Sequence, residues 1–510
     1  MSSLDMSLRP LRTALTDLSL LIWVALSAGL ILAAMLVARV SSEGFVVIAL
    51  ALMVMVVVGS LRWPRAMLVI VALGPILDRF LIAPSMPANV EAVGQYAAEA
   101  LLAVVATVLA IVGLRNGRLL LALRHPTTIG LGLFVILSLV SAAVNRVPPV
   151  EMAAGFFYTL DALIVFYLCR VIGFTHRQAI MAIGAVGAAV LLMAIIGIAQ
   201  ALLGPNILGL SAVAGRSGEV DRLGSVVRNP NVLGSLIALN LPLALFGAIR
   251  LSRPRLRWAM ASAAVLLAMA LLLSYSRGSW LGLIVGAGVV MLIFDRKVLL
   301  ATIGVGALAF VLVSVMPRDL LVGPNRNGTV APPPTFNIVG TTTNRVGNVG
   351  MGRDLRTLLV LNAIPILRDH PLLGVGPGRY GGAAAEHFSS PIYTKYGTGK
   401  LLLRQQTVDN FWLHLMVEAG LLGVLPFLLA IAVLLGQLVS AVRRSIGSPY
   451  VMVGGILAGT AAMCIITGST MGLEANAEAF MFWFLLGVGS LYGSEQLTQP
   501  AQAGPVTPGV

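Results

Sequence analysis

Charge is scarce in this chain: Asp, Glu, Lys and Arg together make up 11% of its 510 residues. A soluble globular protein carries about 25%, so a water-facing surface on every side is excluded. Cysteine is almost missing, with Cys169 and Cys464 alone, both in apolar stretches. That excludes a disulfide framework and a cysteine-built metal centre and leaves the redox compartment open. Negative charge is the scarcer sign, 20 acidic residues against 34 Lys and Arg. No carboxylate cluster forces a metal site; Glu474 and Glu478, near the last connection, come nearest to one.

What is abundant is apolar sequence, 58% of the chain, with a mean hydropathy of +0.95. About fourteen runs are long enough to cross a bilayer as helices of ~20 residues. They fall near 18–38, 44–61, 65–83, 94–114, 127–145, 152–172, 178–203, 230–249, 257–274, 279–294, 298–316, 409–440, 449–468 and 475–493. Barrel strands would be ~10 residues of alternating polarity, so the expected fold is an all-α polytopic membrane protein of about 14 spans (12–14). The first run, Leu18 to Ala38, is too long for a cleaved signal core and lacks a clear cleavage site, so we expect it to be retained. No internal repeat is evident. The expected organisation is N-terminal transmembrane helices over 1–197, helices with Arg-bearing external turns over 198–316, a large external loop over 317–408, C-terminal helices over 409–493, and a disordered cytoplasmic tail over 494–510.

The net charge of +14 would favour nucleic acid in a soluble protein. Here most of the cations lie between apolar runs, so their meaning is topological and no nucleic-acid partner is expected. One set of connections holds Arg9/Arg12, Arg62/Arg65, Arg115/Arg118/Arg124, Arg177, Arg250/Arg253/Arg255/Arg257, Arg296/Lys297 and Arg443/Arg444. The alternate short connections hold mostly single arginines: Arg39, Arg79, Arg146 and Arg277. The positive-inside rule then puts the first set and both termini in the cytoplasm. Two basic connections fall outside: 204–229, with Arg216, Arg222 and Arg228, and 317–408, with Arg318, Arg326, Arg345, Arg353, Arg356, Arg368, Arg379, Lys395, Lys400 and Arg404. Long loops are exempt from the rule. An anionic ligand handled on the far side accounts for this charge, and so does solvation beside anionic headgroups.

Within the large loop, 323–352 is rich in Pro, Gly, Thr and Asn and reads as irregular. Asp354 to Arg368 has helical spacing, with Leu355, Leu358, Leu359, Ala363 and Ile366 on an apolar side, so an amphipathic helix is expected along the membrane surface, kinked near Pro365. Pro371-Leu-Leu-Gly-Val-Gly-Pro-Gly378 then makes a tight turn; without a βαβ context its glycines are no dinucleotide fingerprint.

Four patterns near the external side carry candidate chemistry. Arg222-Leu-Gly-Ser-Val-Val-Arg228-Asn-Pro-Asn231 enters a span; Asn229 and Asn231 read as a capped helix start, which leaves Arg222 and Arg228 unexplained. Ser274-Tyr-Ser-Arg277-Gly-Ser-Trp280 is a short external turn whose Arg either snorkels or faces a ligand. Gly352-Arg353-Asp354-Leu-Arg356 opens the amphipathic helix, with Asp354 as its N-cap. Finally Asp409-Asn410-Phe-Trp412-Leu-His414-Leu-Met-Val-Glu418-Ala-Gly420-Leu-Leu-Gly423 runs from the external edge into the membrane. Asp409 is either that helix's N-cap or a reactive carboxylate. His414 and Glu418 share a helix face, as a structural pair or as intramembrane functional groups.

In this order and spacing the four patterns resemble the O-antigen ligase and polymerase family of bacterial envelope glycan assembly, over about Ile198 to Phe427. The resemblance implies a many-span protein with a large external loop late in the chain. It also implies an activity in O-antigen or exopolysaccharide assembly: a glycan is taken from undecaprenyl pyrophosphate at the outer side of the bacterial plasma (inner) membrane and passed to a hydroxyl of an acceptor glycan or glycolipid. Arg222 and Arg353 match the arginines expected to hold the pyrophosphate; Arg228, Arg277 and Arg404 join them as further basic candidates, with Arg216, Arg356, Asn410, His414 and Glu418 in support. Where the ligases place a His before Asn, this chain has Asp409, which fits polymerase-like relatives or a divergent acceptor better.

The chemistry can be argued without the resemblance. A pyrophosphate-linked sugar already has a good leaving group. Fixed guanidinium groups can stabilise the charge growing on it, and a carboxylate or imidazole can take the proton of the attacking hydroxyl. Asp409 is the expected base of a metal-independent inverting glycosyltransferase needing no cofactor; the resemblance, with Asp409 in place of the ligase His, implies repeat-unit polymerisation ahead of ligation to lipid A core. A lipid-linked glycan flippase or transporter also suits the span count, but transporters tend to show related halves. A non-catalytic assembly subunit is the remaining alternative.

Overall fold

The computed structural model describes residues 42–77, 97–203, 223–227, 229–315, 355–397, 408–474 and 477–493, and among these the regular structure is helical throughout. Nine helices among the described residues are long and apolar enough to cross a membrane, ten if one bent pair is a single span. By helix length and composition this is a multi-pass membrane protein. Against the expected count of about 14, the expected runs from 44–61 onward are largely helical over their described residues, of which nine or ten pass as spans; 18–38 and the tail 494–510 lie outside the described residues.

The chain divides into two compact units, Met1–Leu120 and Leu121–Val510. In the first, α1 (Ser42–Arg62), α2 (Pro64–Leu77) and α3 (Ala97–Arg115) pack against one another. The second holds α4 (Thr127–Val144), α5 (Pro149–Leu160), α6 (Leu163–Ile172), α7 (His176–Leu203), α8 (Pro230–Arg250) and α9 (Pro254–Leu273). It continues with α10 (Arg277–Phe294) and α11 (Arg296–Ser314). After these come α12 (Leu355–Asp369), α13 (Ala383–His387), α14 (Pro391–Lys395), α15 (Phe411–Arg444), α16 (Ser448–Ile466) and α17 (Ala477–Gly493).

The core of the second unit is α8, α16 and α17. The apolar windows of α8 and α16 are 83% and 72% buried, against 17% for α11, which lies at the periphery of the described residues. Helix α17 is apolar all round and buried from Ala477 to Leu491, as a helix without a polar face must be. Its Trp483 meets Phe166 of α6 edge-on, ring centroids 6.2 Å apart. Proline at the first helical position starts α5, α8, α9 and α14, and α16 has one at its second position. At α8 the Asn229 Oδ1 accepts from Asn231 N–H (2.9 Å) and Val232 N–H (3.3 Å), the capped start expected from Asn-Pro-Asn.

Two expected spans are not continuous helices. The run 152–172 is α5 and α6, bent by 54°. At the bend the buried Asp161 Oδ1 accepts its neighbour Ala162 N–H at 2.5 Å, a local bond that competes with the helical ladder. The run 409–440 breaks at Gly420, whose φ of 65° and ψ of −177° are non-helical. Hydropathy could not reveal either break, because the apolar run continues through both.

Polar contacts sort the connections of this unit into two ends. At one, Arg250 grips the Asp295 carboxylate through Nε (2.5 Å) and Nη2 (2.7 Å), and the Tyr450 hydroxyl donates to the Phe294 carbonyl (3.0 Å). There too His176 bridges Ser448 and Tyr492. At the other, Asn145 meets Gly374 and Phe411 meets the 467–470 turn.

Candidate active site

Helix α15 is built to receive the glycine-rich turn. Breaking at Gly420 leaves carbonyls and amides of neighbouring turns without helical partners. The carbonyls of Val417 and Glu418 accept from Val375 and Gly376 N–H, both at 2.9 Å. The amides of Leu421 and Leu422 donate to the carbonyls of Pro371 and Leu372, both at 3.0 Å. The turn is thus spliced into the broken helix by reciprocal backbone bonds. At Gly374, with φ of 68°, a Cβ would collide with the carbonyls of Val417 and Glu418. This is why the motif needs glycine there: no L side chain fits the conformation or the space.

Two side chains of α15 seal the arrangement. The Glu418 carboxylate accepts from Tyr380 N–H (2.8 Å) and Gly378 N–H (2.9 Å). His414 Nδ1 lies 2.5 Å from the Tyr380 carbonyl, and its Nε2 lies 3.8 Å from Glu418 Oε2. Both residues are almost wholly buried. The pair holds the loop, so the structural reading of His414 and Glu418 is the one the geometry fills. Arg379 is engaged as well, reaching Glu151 (3.4 Å) and the carbonyls of Asn145 (3.2 Å) and Arg146 (3.3 Å).

Above this clasp lies the start of α15. The helix is capped by Asn410, whose Oδ1 accepts from Leu413 N–H at 3.0 Å, so of the two readings of Asp409 the N-cap is excluded. Asp409 itself is half-buried and holds a left-handed backbone, φ 49°, a conformation Asp tolerates better than most residues. Two anchors flank it. Val408 N–H donates to the Gly381 carbonyl (3.0 Å), and Phe411 N–H to the carbonyls of Thr467 (2.9 Å) and Thr470 (3.1 Å).

The 467–474 turn gathers further elements. A Cβ on Gly278 would strike Ser469 Oγ, which places the Arg277 turn against it. Glu474, buried, accepts from Ala383 N–H at 2.9 Å. Leu223 N–H donates to the Leu273 carbonyl (3.1 Å), tying the 3-10 turn Ser225–Val227 to the end of α9. Arg277, Asp409 and Asn410 therefore lie around one turn at one end of the bundle. The phenols of Tyr380 and Tyr393 are pushed above the usual phenol range by burial, so neither competes as a base.

Of the sequence-predicted residues, Asp409, Asn410, His414, Glu418 and Arg277 are thus brought together. Arg216, Arg222, Arg228, Arg353 and Arg404 lie outside the described residues, as does Asp354 at its expected cap. Arg356 lies in the first turns of α12, 355–359, of which only the backbone is described. That helix presents Ala363 and Ile366 to the loop core of Val375, Tyr380, Val408 and Val417, and exposes Val360, Leu361 and Ile364 on its other side. Sequence reasoning missed Arg379 and Tyr393, and it took Glu474 only as a weak metal candidate. Among the described residues no three His, Cys, Asp or Glu are grouped to hold a metal ion. A glutamate just before the last span was the only advance signal for Glu474.

No curated protein matches the chain. The family model described as O-Antigen ligase matches residues 262–428, from within α9 to within α15. That stretch contains the Arg277 turn, the spliced glycine loop and Asp409 through Glu418. Over this segment, about a third of its length, the chain is similar to the O-antigen ligase family.

Proposed function

We propose that the protein transfers a glycan from undecaprenyl pyrophosphate to a hydroxyl of an acceptor glycan or glycolipid at the outer face of the plasma membrane. The observation that carries this is the setting of Asp409: Asn410, not Asp409, caps α15, and the start of α15 and the Arg277 turn both pack on the 467–470 turn at one end of the bundle. Its carboxylate takes the proton of the acceptor hydroxyl as that oxygen bonds to the anomeric carbon. The bond from the anomeric carbon to the phosphate oxygen breaks, and its electron pair leaves with undecaprenyl pyrophosphate. Arg277, with Arg222, Arg353, Arg228 and Arg404, compensates the charge developing there. Attack opposite the leaving group inverts the anomeric centre. None of these steps calls for a metal or a cofactor.

Asp409 in place of the ligase His favours repeat-unit polymerisation. The description of the matching family model favours the second reading, ligation of finished polysaccharide to lipid A core. The glycan profile of a deletion strain separates them. Accumulated lipid-linked single repeats indicate a lost polymerase, and long carrier-bound chains a lost ligase. A profile unchanged from the parent strain ends both readings. Movement of labelled lipid-linked sugar across proteoliposomes without acceptor would point to the flippase alternative instead.

A further inference from the structure

We infer that Glu418 is a positioning residue for Asp409, acting through Tyr380 and Gly381; the inference rests on Asp409 being the base. Glu418 lies about two helical turns into α15 and is 3% exposed, so it cannot itself meet an acceptor. A buried carboxylate is costly unless its oxygens are satisfied. Here each oxygen accepts one loop amide, Oε2 from Gly378 and Oε1 from Tyr380. The residue after Tyr380 is Gly381, whose carbonyl accepts from Val408 N–H, and the residue after Val408 is Asp409. Gly381 N–H donates to the Tyr393 hydroxyl at 2.7 Å, so Gly381 is fixed through both its backbone groups. The other side of Asp409 is fixed separately, by Phe411 N–H on the Thr467 and Thr470 carbonyls. A left-handed non-glycine backbone such as that of Asp409 persists only where its surroundings over-determine it. Glu418 and Tyr393 supply a constraint on its N-terminal side. A displacement of ~1 Å at a reacting group can cost ~10²-fold in rate.

Gln at 418 keeps one acceptor oxygen and turns an amide donor towards the second loop N–H. Phe at 393 deletes only the hydroxyl that Gly381 uses. The test is a double-mutant cycle in detergent-purified protein with lipid-linked donor, combining E418Q and Y393F each with D409N. Each single loop variant is expected to lower kcat by about tenfold or more with the donor KM unchanged, and to lower the residual rate of D409N less than about twofold. The same factor in both backgrounds overturns the inference, as does a raised KM at full kcat. Should E418Q not purify as a folded, monodisperse protein, Y393F alone decides by the same criteria. Full activity of D409N is a separate outcome: it removes the base, and this inference with it, without bearing on whether the loop is fixed by Glu418.

Discussion

Asp409 and Arg277 carry different burdens and should fail differently. Replacing Asp409 by Asn keeps shape and removes the proton acceptor, so kcat is expected to fall about 10²–10⁴-fold with donor affinity retained; single-turnover transfer measures it. Arg277→Lys keeps the charge and loses the planar fork, and is expected to rescue little of the loss seen in Arg277→Ala. A further residue-scale prediction concerns the opposite end. Burial raises the Asp295 carboxyl, but the Arg250 guanidinium and the Val298 amide outweigh it and hold the carboxyl below its ordinary range. A depressed native value stabilises the fold above the ordinary carboxylate range, and that stabilisation drains away as pH falls through the native value. Arg250→Ala is expected to cost about 1–2 kcal/mol at neutral pH, discounted because Arg250 is 39% exposed. It should also flatten the acid limb of the melting temperature between neutral and acidic pH. An acid limb identical to the parent's would refute the assignment.

At the scale of elements, the clasp between α15 and the glycine loop is the feature to break. Gly420 combines φ 65° with ψ −177°, a region essentially reserved for glycine, where a side chain costs about 1–3 kcal/mol. A Cβ there would also meet the Leu372 carbonyl. Gly420→Ala is therefore expected to lower thermal stability in detergent and abolish transfer. Gly436 is the control on the same helix: nothing lies within 4 Å of its Cβ position, so Gly436→Ala should be neutral or stabilising by up to ~1 kcal/mol. Equal effects at the two positions would mean the break is not specified by Gly420. This element also marks where sequence reading stopped. The span was legible because Phe411 to Arg444 is almost continuously apolar, and the loop was legible as a turn because glycine and proline punctuate it. That the two are one structure was not legible, since the joining bonds are between backbone groups, which every residue possesses. Glu418 looked like a functional intramembrane carboxylate for the same reason: its partners are the amides of Gly378 and Tyr380, invisible to any reading of side chains. Asp409 was ambiguous between cap and base because an Asp at a helix start can serve as either, and what decides is the neighbouring Asn410, whose Oδ1 takes the Leu413 amide.

For the whole molecule the decisive quantity is which end faces outward. The contacts of the second unit bind the ends into two fixed sets. One joins the Asn145 connection, the glycine loop, Asp409, the Arg277 turn and the 467–474 turn. The other joins Arg250, Asp295, Tyr450, His176, Ser448 and Tyr492. No connection can change sides alone, so one orientation governs all of them. The cationic connections Arg250/Arg253/Arg255/Arg257 and Arg296/Lys297 belong to the second set, which the positive-inside rule assigns to the cytoplasm. Single cysteines at Glu386 and Thr394, exposed on the loop, are then expected to react with a membrane-impermeant maleimide in intact spheroplasts. Cysteines at Arg255 and Lys297, exposed on the other set, should react only after permeabilisation. Native Cys169 is buried and Cys464 is only partly accessible within α16, so a Cys464→Ala background leaves little competing signal. The reverse labelling would put Asp409 and the Arg277 turn in the cytoplasm. A carrier-linked glycan presented at the outer leaflet could not then reach them, and the positive-inside argument would fail for this protein at the same stroke.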